Sequence, residues 1–310
     1  MESDLKRVSC DVISIGDYQP IEAKFKLIQK CLEVVLEYEF PFHGIEKSTL
    51  ILRDLDLIKK IDKKSWACVS FSIISNKTEV KTGTFELDLR WFEPKASLVE
   101  TRFEAMRKFA KEGILTGTVL MPCLPYITDS DEILEGIVEN TKRVGGKYIL
   151  FAGLTLNPPF RERYLSVVAE HFPGILSKYE KLYRDADRFG FGPTVGRYFY
   201  YLNKKVNTLC EKYGLLNYIP RPIRLGASDQ KLRFNKKWAR SDKIDINKLS
   251  KESLVFNQLL AEKFYLRARE LNIRGANYYQ ILSYQKTAWI LDLLTRNIKS
   301  VYNKEGISGI

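Results

Sequence analysis

Residues 114–125 and 148–156 are apolar almost without interruption, too short to cross a membrane and too uniform for a sheet with one wet face. They read as buried parallel strands. Between them Ser130 precedes Asp131 and Glu132, and Ile133, Leu134, Ile137 and Val138 recur at helical spacing until Gly145 and Gly146 supply a stop. The segment predicts one strand–helix–strand unit. Parallel neighbours need a crossover connection, so further units are expected before and after it.

The same alternation runs through the first half of the chain. Residues 11–16 (DVISIG) predict a strand, and Pro20 suits the start of a helix through Glu39 with Phe25, Leu27, Ile28, Cys31, Leu32, Val35 and Leu36 on its apolar face. After Pro41, PFHGIEKS predicts a second strand, Ser48 caps a helix through Ile61, and residues 67–74 predict a third strand. A polar insertion and the turn-like FEPKAS lead to a helix from about Leu98 to Glu112. Beyond Asn157-Pro158-Pro159 a further helix turns Tyr164, Leu165, Val168 and Phe172 inward. Five strands alternating with helices make the fold α/β and leave two architectures open, a doubly wound sheet or part of a (β/α) barrel. In both, ligands gather at the C-terminal ends of the strands, here presented by Gly16, Asp17, Lys47, Ser48, Ser72, Ser75, Pro122, Pro125, Thr155 and Asn157. Lys47 is the sole cation in that set. No glycine-rich phosphate loop follows a strand, so nucleotide binding of those kinds has no support.

From residue 189 the pattern changes. FGFGPTVGRYFYYLNKKV is rich in Gly and aromatic residues and reads as the start of a junction over 189–251, after an α/β domain over 1–188. Residues 252–310 predict an all-α module. Its first helix carries Leu254, Leu259, Leu260, Phe264, Leu266 and Ala268 inward, its second Ile281, Leu282, Ala288, Trp289, Ile290 and Leu293.

Charge sharpens this division. The chain carries a formal net charge of +12, yet residues 1–189 hold 28 Lys/Arg against 29 Asp/Glu while residues 190–310 hold 22 against 9. The whole excess lies in the second part, which points to a polyanionic partner, nucleic acid before a membrane surface. Residues 217–251 concentrate it, with ten Lys/Arg against three Asp interleaved with Tyr218, Phe234 and Trp238. Basic side chains pair with phosphates and aromatic faces stack on nucleobases, which makes Arg221, Arg224, Arg233, Lys236, Lys237, Trp238 and Arg240 candidate nucleic-acid contacts. The same composition also suits an exposed basic linker. The five cysteines are scattered without a short pairing, and no run reaches the roughly 20 apolar residues of a membrane helix. These features fit a reduced, cytoplasmic chain with no membrane segment. Neither His43 nor His171 has a carboxylate or cysteine constellation around it in sequence, and they read as a core or wall residue and a helix-end surface residue.

The first 175 residues resemble the radical S-adenosylmethionine superfamily, in the branch of spore photoproduct lyase and the DNA repair photolyase-like proteins. SIG…YQPIE (14–22), EKS (46–48) followed by LILRDLDLI, SFSI (70–73), FEPKAS…TRFEAMRKFAKEGILTG (92–117), MPCLPYITD (121–129) and LFAGLTL carry the likeness. The resemblance implies an incomplete (β/α)6 partial barrel of parallel strands. It also implies a [4Fe-4S] cluster on a CxxxCxxC loop and S-adenosylmethionine as cofactors, and a radical that abstracts hydrogen from DNA. By that pattern Lys47 donates to the cofactor's carboxylate or ribose, Ser72 forms a polar wall, and Gly16 and Asp17 stand at the strand end beside it. The chain departs from the pattern in one decisive respect, because it contains no CxxxCxxC. The first strand and cluster loop are expected to be missing, so catalysis by this chain alone is not expected. A second polypeptide supplying the cluster-binding portion is one expected partner.

The C-terminal helices resemble the small N-terminal helical domain of family X DNA polymerases through Asn257, Leu260, Ala261, Ala268, Tyr284, Lys286, Ala288 and Ile290. That likeness implies DNA binding, with Tyr284 and Lys286 as contacts and without lyase chemistry. A non-catalytic nucleic-acid-binding protein built on a retained barrel is therefore the alternative reading.

Overall fold

The computed structural model describes residues 12–16, 18–82, 85–158, 160–189, 192–193, 196–225, 237–249 and 253–306. Five parallel strands, β1 (Ile13–Ser14), β2 (Phe42–Glu46), β3 (Ala67–Ser72), β6 (Leu115–Cys123) and β7 (Ile149–Gly153), form one half-barrel sheet in the order β1-β2-β3-β6-β7. All six residues of the central strand β3 are buried, as the unbroken apolar pattern requires. The mixed α/β architecture with parallel strands matches the sequence expectation.

Helices flank this sheet. They are α1 (Glu22–Phe25), α2 (Leu27–Glu37), α3 (Leu55–Lys64), α4 (Val99–Lys111), α5 (Asp131–Arg143), α6 (Phe160–His171) and α7 (Leu176–Leu182). The helix expected from Pro20 to Glu39 is in fact two. Lys26 sits at φ 52°, ψ 38°, because the Glu22 carboxylate accepts from the amides of Leu27 (2.8 Å) and Ile28 (3.1 Å) and so caps α2 from the preceding turn. Phe25 and Leu27 consequently point to solvent, and Ile28, Leu32 and Val35 form the inner stripe. Ser48 caps as expected, accepting from Leu50 N–H at 3.2 Å, but the first turns it opens (Thr49–Asp54) are 3-10 before α3 begins. The polar insertion folds into an antiparallel hairpin, β4 (Glu79–Thr82) and β5 (Phe85–Asp88). Glu100 in the first turn of α4 accepts from both the amide (2.9 Å) and hydroxyl (2.6 Å) of Thr78 and anchors that hairpin.

The stretch read as a junction opens with a long helix, α8 (Gly196–Tyr213). Leu202, Val206 and Cys210 of α8, with Leu215 after it, belong to the main apolar core, and Leu216 bonds through its backbone to Lys147 and Ile149 beside β7. The α/β core therefore runs to about residue 216 rather than 188. Aromatic and glycine content drew attention away from a 3.6-residue apolar stripe.

A short hairpin, β8 (Pro222–Leu225) and β9 (Lys237–Arg240), leads to α9 (Val255–Ile273), α10 (Tyr278–Leu293) and α11 (Ile298–Glu305). Ala261, Ala288, Leu291 and Ile298 form their core, with small residues where the helices approach. Asn257 locks the corner, donating to Arg296 O (2.8 Å) and accepting from Ile298 N–H (2.9 Å). Trp289, Ile290 and Leu293, expected inside, are exposed. No helix among the described residues is long and apolar enough to cross a membrane.

Candidate ligand site on the concave face of the sheet

Strand side chains alternate between faces, so the register fixes what shares the concave side. Ser14, His43, Cys68 and Leu115 form one row across the sheet, and Ile45, Ser70, Gly117 and Tyr148 the next. Ser72, Val119 and Leu150 form a third. Serines, a histidine and a tyrosine here replace the apolar residues of the convex face.

The middle rows are joined by a hydrogen-bonded chain. His43 Nε2 lies 2.8 Å from Ser70 Oγ, which lies 2.6 Å from the Tyr148 hydroxyl, itself 2.9 Å from Cys68 Sγ. Gly117 makes this possible, since a Cβ there would stand 2.4 Å from Tyr148 O and 2.8 Å from its ring. Burial pushes the Cys68 thiol up to about 12 and raises the Tyr148 phenol well above its ordinary value. Burial also lowers His43 from 6.5 to about 4, so the imidazole is neutral near pH 7.

At the C-terminal rim the structure brings Lys47 and Ser72 into one network. Lys47 Nζ pairs with Glu93 (2.7 Å), and Glu93 pairs with the buried guanidinium of Arg102 (2.7 Å). Arg102 also donates to the carbonyls of Ser72 and Ser97, each at 2.7 Å, while Ser72 Oγ donates to Met121 O at 3.3 Å. One buried cation thus fixes the end of β3 and the loop before α4, and the Lys47 side chain, paired with Glu93, is 45% exposed. Sequence reading missed Glu93 and Arg102. The available signal was an arginine between Val99, Phe103 and Met106 on the inner face of α4.

Beside this rim lies a second buried polar cluster. Arg53 bonds Asp54 and Glu22, Tyr18 donates to Asp54 (2.8 Å), and the Tyr18 amide donates to Glu46 (3.2 Å). Burial alone would raise the Glu22 carboxyl, but Arg53 and the α2 amides hold it below its ordinary range. Gly16 stands against this cluster, where a Cβ would be 2.9 Å from Ile45 O. Asp17 lies outside the described residues. The MPCLPYITD string turns back at this end of the sheet, with Asp129 accepting from Tyr198 and Tyr179 donating to Pro125 O (2.6 Å).

The residues chosen as nucleic-acid contacts are not gathered into one described surface. Arg221 is held bidentately by Asp292 (2.9 Å twice), and Arg240 by Asp242 (3.0 and 2.8 Å). Arg224 and Trp238 are opposite each other in the β8–β9 ladder, with Lys237 opposite Leu225. Arg233 and Lys236 lie outside the described residues. Tyr284 packs its ring on Phe264 (5.7 Å), and Lys286 is exposed on α10.

Nor do the described thiols suit an iron–sulfur cluster. Cys31, Cys68, Cys123 and Cys210 are free, and burial pushes the last three up to about 12, away from the thiolate an iron ligand requires. Among the described residues no three His, Cys, Asp or Glu converge as a metal site.

The relatives that the chain matches are uncharacterized proteins. It is 25% identical over 167 residues to an uncharacterized protein of Mycobacterium tuberculosis, covering 54% of this chain and 47% of that one, with the same figures for one from Mycobacterium bovis. An uncharacterized protein of Methanocaldococcus jannaschii is 29% identical over 122 residues, 39% of this chain and 42% of its own length. The chain thus aligns with less than half of each relative. No family model and no solved structure matches.

Proposed function

We propose that this chain is a ligand-binding half-barrel of the radical S-adenosylmethionine type, from the branch of spore photoproduct lyase. In this reading S-adenosylmethionine binds at the C-terminal rim and the described cysteines hold no cluster. The observation that carries it is the Lys47–Glu93–Arg102–Ser72 network, which holds a half-exposed lysine side chain and a strand-end serine at the rim where such folds bind ligands. Lys47 would donate to the ligand's carboxylate or ribose, and Ser72 would line the wall. When bound to a cluster, this cofactor is a source of a hydrogen-abstracting radical. Cluster chemistry would need thiolates from outside the described residues, a second polypeptide being the candidate source.

Equilibrium dialysis with radiolabelled S-adenosylmethionine tests the binding half, and Lys47→Ala is expected to weaken it about tenfold through loss of one charge-assisted contact. Anaerobic treatment with iron and sulfide tests the other half. A colourless chain is expected, and absorbance near ~400 nm would overturn it.

A second reading, nucleic-acid binding without catalysis, is favoured by a separate observation. Glu262, Glu270, Asp292 and Glu305, the acids of residues 253–306, are all engaged, whereas Lys263, Lys286, Lys299 and Lys304 are exposed with no carboxylate partner among the described residues. Affinity for an oligonucleotide should then fall steeply between 50 and 200 mM salt, roughly tenfold or more for several phosphate contacts. An unchanged affinity would dispose of that reading.

A further inference from the structure

Helix α10 is apolar on two sides, a pattern that belongs to a helix covered on both. Toward α9 it buries Ala288 and Leu291. Away from α9 it presents Tyr279, Leu282, Lys286, Trp289 and Leu293, separated by three, four, three and four residues. That is the spacing of a coiled-coil seam. Tyr279 is 75% exposed and Trp289 61%, with Tyr278, Ile290 and Leu293 exposed beside them. Aromatic side chains of 150–250 Å² each make this patch larger than single surface apolar residues explain.

Lys286 decides what fits. It occupies the middle of the seam, and the one acid of α10, Asp292, is taken by Arg221. Two copies of the chain pairing in register through this seam, parallel or antiparallel, would set Lys286 against Lys286. Like charges at a central seam position are destabilising. With Gln280, Ser283, Gln285 and Thr287 at its sides and Lys286 as the one cation of α10, the stripe also lacks the Lys/Arg-rich polar face of a helix lying on lipid.

We propose that the outer face of α10 is a docking seam for an acidic amphipathic helix of a partner protein, with a carboxylate of that helix facing Lys286. This surface is independent of the rim reading above. Tyr279, Leu282, Trp289 and Leu293 supply the apolar anchors, with Trp289 as the central one. The charge excess of residues 190–310 favours encounter with an acidic partner.

The test uses the full chain and two designed amphipathic helical peptides, with leucines at the seam positions, identical except for Glu or Lys at the central one. Fluorescence anisotropy of labelled peptide should show the Glu peptide binding about five- to tenfold tighter, the scale of one partly screened ion pair. Lys286→Glu should reverse that preference, a readout that a structural role for Lys286 would not produce. Trp289→Ala should weaken both peptides at least tenfold while far-UV circular dichroism and the melting transition stay as in the wild type. Equal affinity for the two peptides, or a preference unmoved by Lys286→Glu, overturns the proposal. So does a Trp289-dependent dimer in sedimentation velocity, or Trp289-dependent binding to phosphatidylglycerol vesicles or an oligonucleotide in place of the peptides.

Discussion

On the convex side of β3, Ala67, Val69 and Phe71 meet helices; on the concave side, Cys68, Ser70 and Ser72 face a polar chain and an open rim. Both sets come from the same six buried residues. Burial by itself therefore does not distinguish a packing face from a chemical one. The convex residues are held by area removed from water and by contact, while the concave residues are held by hydrogen bonds that must all be made because water is excluded. Phe71→Ala leaves a cavity against Phe109, whose ring centroid lies 6.1 Å away, and should cost about 3–5 kcal/mol in urea unfolding. Its neighbour Ser70→Ala removes one link between His43 and Tyr148 and should cost about 1–2 kcal/mol. Equal losses would break the distinction between the faces.

Where the two regimes meet, at the rim, a buried cation replaces both apolar contact and neutral hydrogen bonding. Arg102→Leu keeps much of the volume but leaves two carbonyls without their donor and buried Glu93 with Lys47 as its remaining cation, a loss of about 3 kcal/mol. Adding Glu93→Gln should recover part of this, because the buried charge that has lost one of its two cations is then gone. Thermal or urea melts of the two variants and the pair give the coupling directly, and a strictly additive pair would mean that Arg102 and Glu93 act separately.

How much of this was legible in the chain follows from the range of each interaction. The five strands and the helices α3 to α6 are local patterns, so their order was readable, and Lys47 and Ser72 were readable as strand ends. Glu93 and Arg102 were not, since Arg102 meets Ser72 across 30 residues through a loop whose path no local pattern encodes. The His43–Ser70–Tyr148 chain depends on register between strands, and a shift of one residue would turn each side chain to the other face. The break at Lys26 was hidden because Glu22 looks like an ordinary first-turn acid until its carboxylate is seen capping the next helix. Trp289, Ile290 and Leu293 misled because helical periodicity locates an apolar stripe without saying whether anything covers it.

The concave face should also respond to pH where the convex face does not. His43 is depressed in the fold from 6.5 to about 4, so protonation is easier in the unfolded chain. The stability it contributes is complete above pH 6.5 and is lost as pH falls toward and through 4. Over that window the loss should be about 3 kcal/mol, and His43→Gln should flatten that part of the stability profile. A profile as steep in His43→Gln as in the wild type would assign the pH response to the carboxylates instead.

The smallest difference lies in two adjacent residues of β2. Gly44 faces the helices, where a Cβ would stand 3.0 Å from Phe42 Cζ and 3.4 Å from Ile51 Cδ1, so Gly44→Ala forces a ring to shift and should cost about 1–2 kcal/mol. Ile45 faces the concave side and is 40% exposed, so Ile45→Thr keeps the β-branch, adds a hydroxyl that water can reach, and should change stability by less than about 0.5 kcal/mol. If Ile45→Thr instead proves the costlier of the two, the concave face is covered in solution by something that excludes water from Ile45, and the rim is not an open ligand site.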